Sequence, residues 1–150
     1  MARKSGSDSP RILLGPWNRS IEWLEQIQNG NVIVFGKDMP LEYEFFQDSM
    51  TDLFDRLPTG WDPEALVFWQ PHLYAMPAGW EKSGIPVFGI IGPWQLLGLF
   101  DSDLSWLRTL EGIFVYPAGV DYFKRQGFEK VWPFLPSFCS YTINIISIID

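Results

Sequence analysis

The chain reads as one α/β domain built on an open, mostly parallel sheet with helices on both faces. Three observations carry that expectation. Short, almost wholly apolar runs recur along the sequence, as in strands buried on both sides. Longer amphipathic segments separate them, the rhythm of repeated β-α units. The 150 residues suffice for one core, and 47% hydrophobic against 19% charged residues excludes a disordered chain.

The elements follow in order. Residues 1–10 are polar and rich in Ser, ending at Pro10, and read as a flexible tail before a domain spanning residues 11–140. Arg11 to Gly15 (RILLG) is the first expected strand. Ser20 is placed to cap a helix through Gln28, with Ile21, Leu24 and Ile27 on one face and Asn29-Gly30 as its stop. Val32 to Phe35 is a second strand. Leu41 to Leu57 has the spacing of a long helix, because Leu41, Phe45, Phe46, Met50, Leu53, Phe54 and Leu57 recur at three- and four-residue steps. Pro58, Gly60 and Pro63 end it. Ala65 to Trp69 (ALVFW) and Ile85 to Ile91 (IPVFGII) are the third and fourth strands.

Leu96 to Leu110 is read as helical but broken at Gly98 and Asp101-Ser102-Asp103. Gly112 to Tyr116 (GIFVY) is a fifth strand, Ala118 to Gln126 a short helix stopped by Gly127, and Lys130 to Phe134 a sixth strand. Residues 141–150 crowd Ile143, Ile145, Ile146, Ile148 and Ile149 together, and read as an extra strand or as a chain cut short.

Composition narrows the function classes. The formal net charge of −7 disfavours nucleic acid, whose phosphates an acidic surface repels. Cys139 is the only cysteine, which leaves no internal disulfide and no multi-thiolate metal site. Asp101 and Asp103 read as helix-capping residues, so no metal is expected. No apolar run of membrane-spanning length and no secretory signal is present, so a cytoplasmic location is expected. The turn Gly15-Pro16-Trp17-Asn18 is not a dinucleotide fingerprint, and no phosphate-binding P-loop occurs.

Candidate site residues gather after the strands, where open α/β sheets bind ligands. Trp69-Gln70-Pro71-His72 follows the third strand, and His72 is the only histidine. It suits a general base or a polar contact to a sugar hydroxyl; the plainer reading is an exposed or capping loop histidine. Gly92-Pro93-Trp94-Gln95 follows the fourth strand. Trp94 offers a stacking face beside the Gln95 amide, or else packs on the next helix. Gly15 and Pro16, after the first strand, allow close approach of backbone to a ligand or to a neighbouring helix. Aromatics reach 17% of the chain, which fits a ring-rich core or a ring-lined surface equally.

The order of Asp62-Pro63-Glu64 with the strand to Trp69, Gln70-Pro71-His72, Pro77-Ala78-Gly79-Trp80-Glu81, Ile85-Pro86-Val87, Trp94, and Pro117 through Lys124-Arg125-Gln126-Gly127-Phe128 resembles one known family. It is similar to the N-terminal half of glycosyltransferases with two facing Rossmann-like domains (GT-B), in particular the spore-protein-like group-1 relatives. The likeness covers residues 63–136, and Gly92-Pro93 departs from a small-acidic pair common in relatives.

The resemblance implies a Rossmann-like domain that forms the acceptor-side wall of a metal-independent sugar transferase. His72 would be its catalytic or polar contact, and Gly15, Pro16, Gln70, Trp94 and Gln95 its substrate-binding residues. The nucleotide-sugar donor would be held by a second Rossmann-like domain that these residues have no room for, so this domain is expected to bind no cofactor and to be inactive alone. Its partners would be a sugar acceptor and that second domain. The alternative is a free-standing Rossmann-like module that binds a ligand or partner without catalysis.

Overall fold

A computed structural model describes residues 10–17, 31–71, 76–92 and 105–133. Its centre is a seven-stranded, all-parallel sheet. The strands are β1 (Ile12–Trp17), β2 (Val32–Gly36), β3 (Leu41–Glu42), β4 (Ala65–Trp69), β5 (Val87–Ile91), β6 (Gly112–Val115) and β7 (Val131–Pro133). They lie in the order β3-β2-β1-β4-β5-β6-β7. The α/β open parallel sheet read from the sequence is therefore the fold, and it is parallel throughout the described residues.

Alternation along each strand divides the core into two layers. Leu13, Phe35, Leu66, Phe68, Ile91, Ile113 and Val115 enter one cluster, whereas Ile12, Leu14, Val32, Val34, Ala65, Val67, Phe88, Ile90 and Phe114 enter the other. Both layers are buried, with Phe68 and Phe114 each 0% exposed. This is why the strands read as continuous apolar runs. Helices α1 (Met50–Asp55) and α2 (Pro117–Arg125) contribute Met50, Leu53 and Phe123 to the first layer. Helices on both faces were expected; among the described residues the α-helices serve one face. The aromatic content resolves largely into core: Phe35, Phe68, Phe114 and Phe123 are fully buried.

Helix α2 forms because Pro117 occupies its first turn, Lys124 and Arg125 sit in the last turn where the macrodipole favours cations, and Gly127 takes a φ of 87° just beyond the end. The expected long helix from Leu41 to Leu57 is not there. Leu41 and Glu42 form the edge strand β3, and Leu41-Glu42-Tyr43-Glu44 alternates buried and exposed, which is strand periodicity. Phe46 then takes a left-handed φ of 63°, incompatible with a continuous helix. Helix α1 starts only at Ser49, where the side chain accepts from the Asp52 amide and Asp52 accepts in return from the Ser49 amide. The apolar residues do share one core, but they reach it from a strand, a turn and a six-residue helix.

Other boundaries moved less. β1 continues through Pro16 and Trp17, two residues beyond the expected stop. A register irregularity between Leu14 and Trp17 lets proline sit there despite its missing amide hydrogen. The end of the expected helix over 96–110 is a 3₁₀ turn, Ser105–Thr109. The expected helix at 20–28, the residues 96–104 and 134–150, and the first nine residues lie outside the described residues.

β3 is a special case of parallel pairing. Only Lys37 to Pro40 separate it from β2, with the Met39 and Tyr43 amides both donating to the Gly36 carbonyl. A βαβ crossover needs a dozen residues or more, so β3 is a hook on the end of β2. Without that hook, the strand order reverses once, between β1 and β4. That reversal is the topological switch point, and ligands of open α/β sheets bind outside the strand ends there.

Candidate functional site

The carboxyl ends at the switch point bring two tryptophans together. Trp17 closes β1 and Trp69 closes β4; their ring centroids are 4.2 Å apart with planes tilted by 43°. Both belong to the second layer: Trp69 by alternation from Ala65, and Trp17 because the register irregularity after Leu14 turns it to the face that Ile12 and Leu14 occupy. Trp17 is 4% exposed, so it backs the site, whereas Trp69 is only partly buried and offers it a ring.

Gln70 follows β4 directly. Its amide donates to the Ile90 carbonyl at 2.8 Å, which extends the β4–β5 pairing by one residue. Its φ is 46°, the left-handed region that costs a side-chain-bearing residue about 1–2 kcal/mol. The turn throws the side chain across the end of β5. A Cβ built on Gly92 would lie 2.8 Å from the Gln70 Nε2 and 3.6 Å from the Tyr116 hydroxyl. Glycine at 92 is thus what allows the Gln70 amide and the Tyr116 hydroxyl, from the end of β6, to converge. Among the described residues the Gln70 side-chain amide has no hydrogen-bond partner, and it is half-buried. An amide with unused donors and acceptor, held on a strained backbone close to a phenol hydroxyl, is equipped to bind a polar ligand.

Gly15 and Pro16 lie at this same sheet end, but both are buried within β1. A side chain on Gly15 would run into the carbonyl and ring of Phe35 on β2. Its close approach is therefore to the neighbouring strand, rather than to a ligand or a helix, and the Gly15-Pro16 peptide bond is cis. Of the residues read from the sequence, the structure brings Gln70 to the same strand end as Gly15 and Pro16, since Gly15 pairs with Phe68. His72, Trp94 and Gln95 fall outside the described residues. Sequence reasoning did not single out Trp69, Gly92 or Tyr116 as a group. The signal available was position, since each ends or follows a parallel strand.

Charge is arranged elsewhere. A depression of about 330 Å³ at the opposite, amino end of β6 and β7 is lined by Arg108, Glu111, Phe128 and Lys130. Its cations are engaged: Arg108 stacks 4.3 Å over Phe128 and donates to the Gln126 carbonyl, and Lys130 pairs with Glu111 at 2.7 Å. At the β3 edge, Arg56 grips both Asp48 oxygens at 2.7 and 2.9 Å. The guanidinium holds the Asp48 carboxyl below its ordinary range, and the Ser49 amide and hydroxyl do the same for Asp52. Burial, with Asp48 nearby, pushes the Tyr43 phenol up to about 12. These groups stabilise the fold and lie away from the switch point. Among the described residues no cluster of His, Cys, Asp and Glu could hold a metal ion, and no helix is long and apolar enough to cross a membrane.

No protein-family model matches the chain, and no curated protein or solved structure matches it either.

Proposed function

We propose that the chain binds a sugar at the carboxyl end of its sheet, as the acceptor-side wall of a two-domain, metal-independent glycosyltransferase. The observation that carries this reading is the convergence of the Gln70 amide and the Tyr116 hydroxyl over Gly92, at the same sheet end where the half-buried Trp69 closes β4. A pyranose presents an apolar C–H face and an equatorial belt of hydroxyls. The ring takes the first, and the amide and phenol take the second. In the complete enzyme, a facing Rossmann-like domain would hold the nucleotide-sugar donor. This wall would supply His72 as base or polar contact, with Trp94 and Gln95 extending the platform.

One observation favours a second reading, a ligand-binding module without catalysis. At the ends of β1, β4, β5 and β6, the described side chains are Trp17, Trp69, Gln70 and Tyr116. None is a carboxylate, histidine or lysine, the usual acid–base groups.

The test uses the 150-residue chain. Titration with neutral mono- and oligosaccharides, followed by tryptophan fluorescence, is expected to show saturable binding. Gln70→Ala should weaken it about 2- to 10-fold, the value of one ordinary hydrogen bond. No transfer from any nucleotide-sugar is expected, because one wall neither orients two substrates nor excludes water. Saturable sugar binding that Gln70→Ala and Trp69→Ala leave unchanged would remove this site. Turnover by the chain alone would overturn the non-catalytic assignment.

A further inference from the structure

The turn between β3 and α1 carries a side chain that the core does not explain. Phe46 is 88% exposed, the only large hydrophobic residue so exposed among the described residues. It also takes a φ of 63°, where a bulky aromatic is a true outlier. Asparagine or glycine would fit that backbone without strain and without presenting an apolar ring to water. The sequence bears both costs at one position.

The turn is braced to hold that ring out. The Glu44 amide donates to Asp48 Oδ2 at 2.6 Å, and the Gln47 and Asp48 amides both donate to the Glu44 carbonyl. Arg56 clamps Asp48 with two bonds and reaches the Glu42 carbonyl at 2.9 Å. Tyr43 and Phe45, the latter with its ring 5.4 Å from that of Tyr43, anchor the preceding residues in the first core layer. Phe46 is therefore a fixed projection on a tied base.

Its surroundings are acidic. From Lys37 to Arg56 the sequence holds six carboxylates (Asp38, Glu42, Glu44, Asp48, Asp52 and Asp55) against two cations, Lys37 and Arg56, the latter already paired with Asp48. Such a surface repels anionic lipid, nucleic acid and a second copy of itself. We propose that Phe46 is the central anchor of a protein-docking surface, and that its partner is a protein with an apolar pocket rimmed by lysine or arginine. A buried aromatic encircled by complementary charge is the usual composition of an interface hot spot. This surface lies on the β3 edge and does not depend on the sugar reading.

The test places a photoreactive benzoyl-phenylalanine at position 46 of the full chain, expressed in its own cells and irradiated. The expected result is one protein adduct whose cross-linked peptide is apolar and flanked by Lys or Arg. Adding Glu44→Lys and Gln47→Lys should reduce that adduct at least 10-fold. Both positions are exposed and neither side chain braces the turn. Separately, Phe46→Asn in the isolated chain should leave the melting temperature unchanged or raise it. Adducts with lipid or a second copy, an adduct indifferent to charge reversal, no adduct, or a fall in melting temperature for Phe46→Asn would each overturn the proposal.

Discussion

Gly92 is the residue on which the switch-point geometry turns. Its missing side chain leaves room for the flexible end of Gln70, with Nε2 2.8 Å from where a Cβ would stand. Gly92→Ala should therefore displace the Gln70 amide rather than the backbone. The expected outcome is a stability loss below about 1 kcal/mol in a thermal or denaturant melt, since a terminal amide moves cheaply. Sugar binding measured by tryptophan fluorescence should weaken as in Gln70→Ala. A large stability loss would mean that Gly92 serves packing alone. Gly15 gives the contrast. A side chain there meets the backbone and ring of Phe35, so Gly15→Ala should destabilise the sheet itself.

At the scale of elements, α1 has six residues and depends on its ends. Ser49→Ala removes one side of the capping box and should cost about 1 kcal/mol in a denaturant melt. The charges of the same region set the pH limits. Asp48 and Asp52 have lowered pKa values when folded, so they bind protons more readily unfolded. Their contribution is present above the ordinary carboxylate range and is lost as pH falls below about 4. Tyr43 acts at the other limit. Its proton is held more tightly in the fold, up to about 12. Stability should therefore decline above pH 10, by up to about 1.4 kcal/mol per pH unit, until that value is reached. Melts of Asp48→Asn and Tyr43→Phe should flatten the acid and alkaline limbs respectively.

These elements also show what was legible in the chain. Ala65–Trp69 was readable from end to end, because burial on both faces demands an unbroken apolar run. The 41–57 segment misled because residues recurring every three or four positions converge on one core from any element that faces it. The Ser49-x-x-Asp52 box and the alternation of Leu41 to Glu44 were the local signals that separate the pieces. Gln70 was legible by its place after a strand. The Trp17–Trp69 contact was not, since it depends on β1 lying beside β4, and strand order is not written in any local pattern.

For the whole molecule, one sheet carries buried side chains on both of its faces. Phe68 in one layer and Phe114 in the other are each 0% exposed. Phe114 touches Trp132 and Phe88 with centroid separations of 5.4 and 6.0 Å. Phe68→Ala and Phe114→Ala should each cost about 3–5 kcal/mol in a denaturant melt, with unfolding still a single transition. A much smaller loss for Phe114→Ala would show that the second layer is loosely packed, contrary to its burial.

The sheet's outermost strands have a consequence for concentrated solutions. β3 offers two residues and follows Pro40, and β7 offers three and ends in Pro133. A long flat border would present a row of idle amides and carbonyls to any passing chain, which is how cross-β aggregates nucleate. Among the described residues the two outermost strands are each too short to template a strand, and prolines withhold donors beside them. The apolar runs of β1, β4, β5 and β6 are central, each with a neighbour on either side, whereas β2 is covered on its outer side only at Phe35 and Gly36 among the described residues. Most of the aggregation-prone segments of this sequence thereby lie away from its margins, and native protein should stay free of thioflavin-positive aggregates until the sheet itself opens.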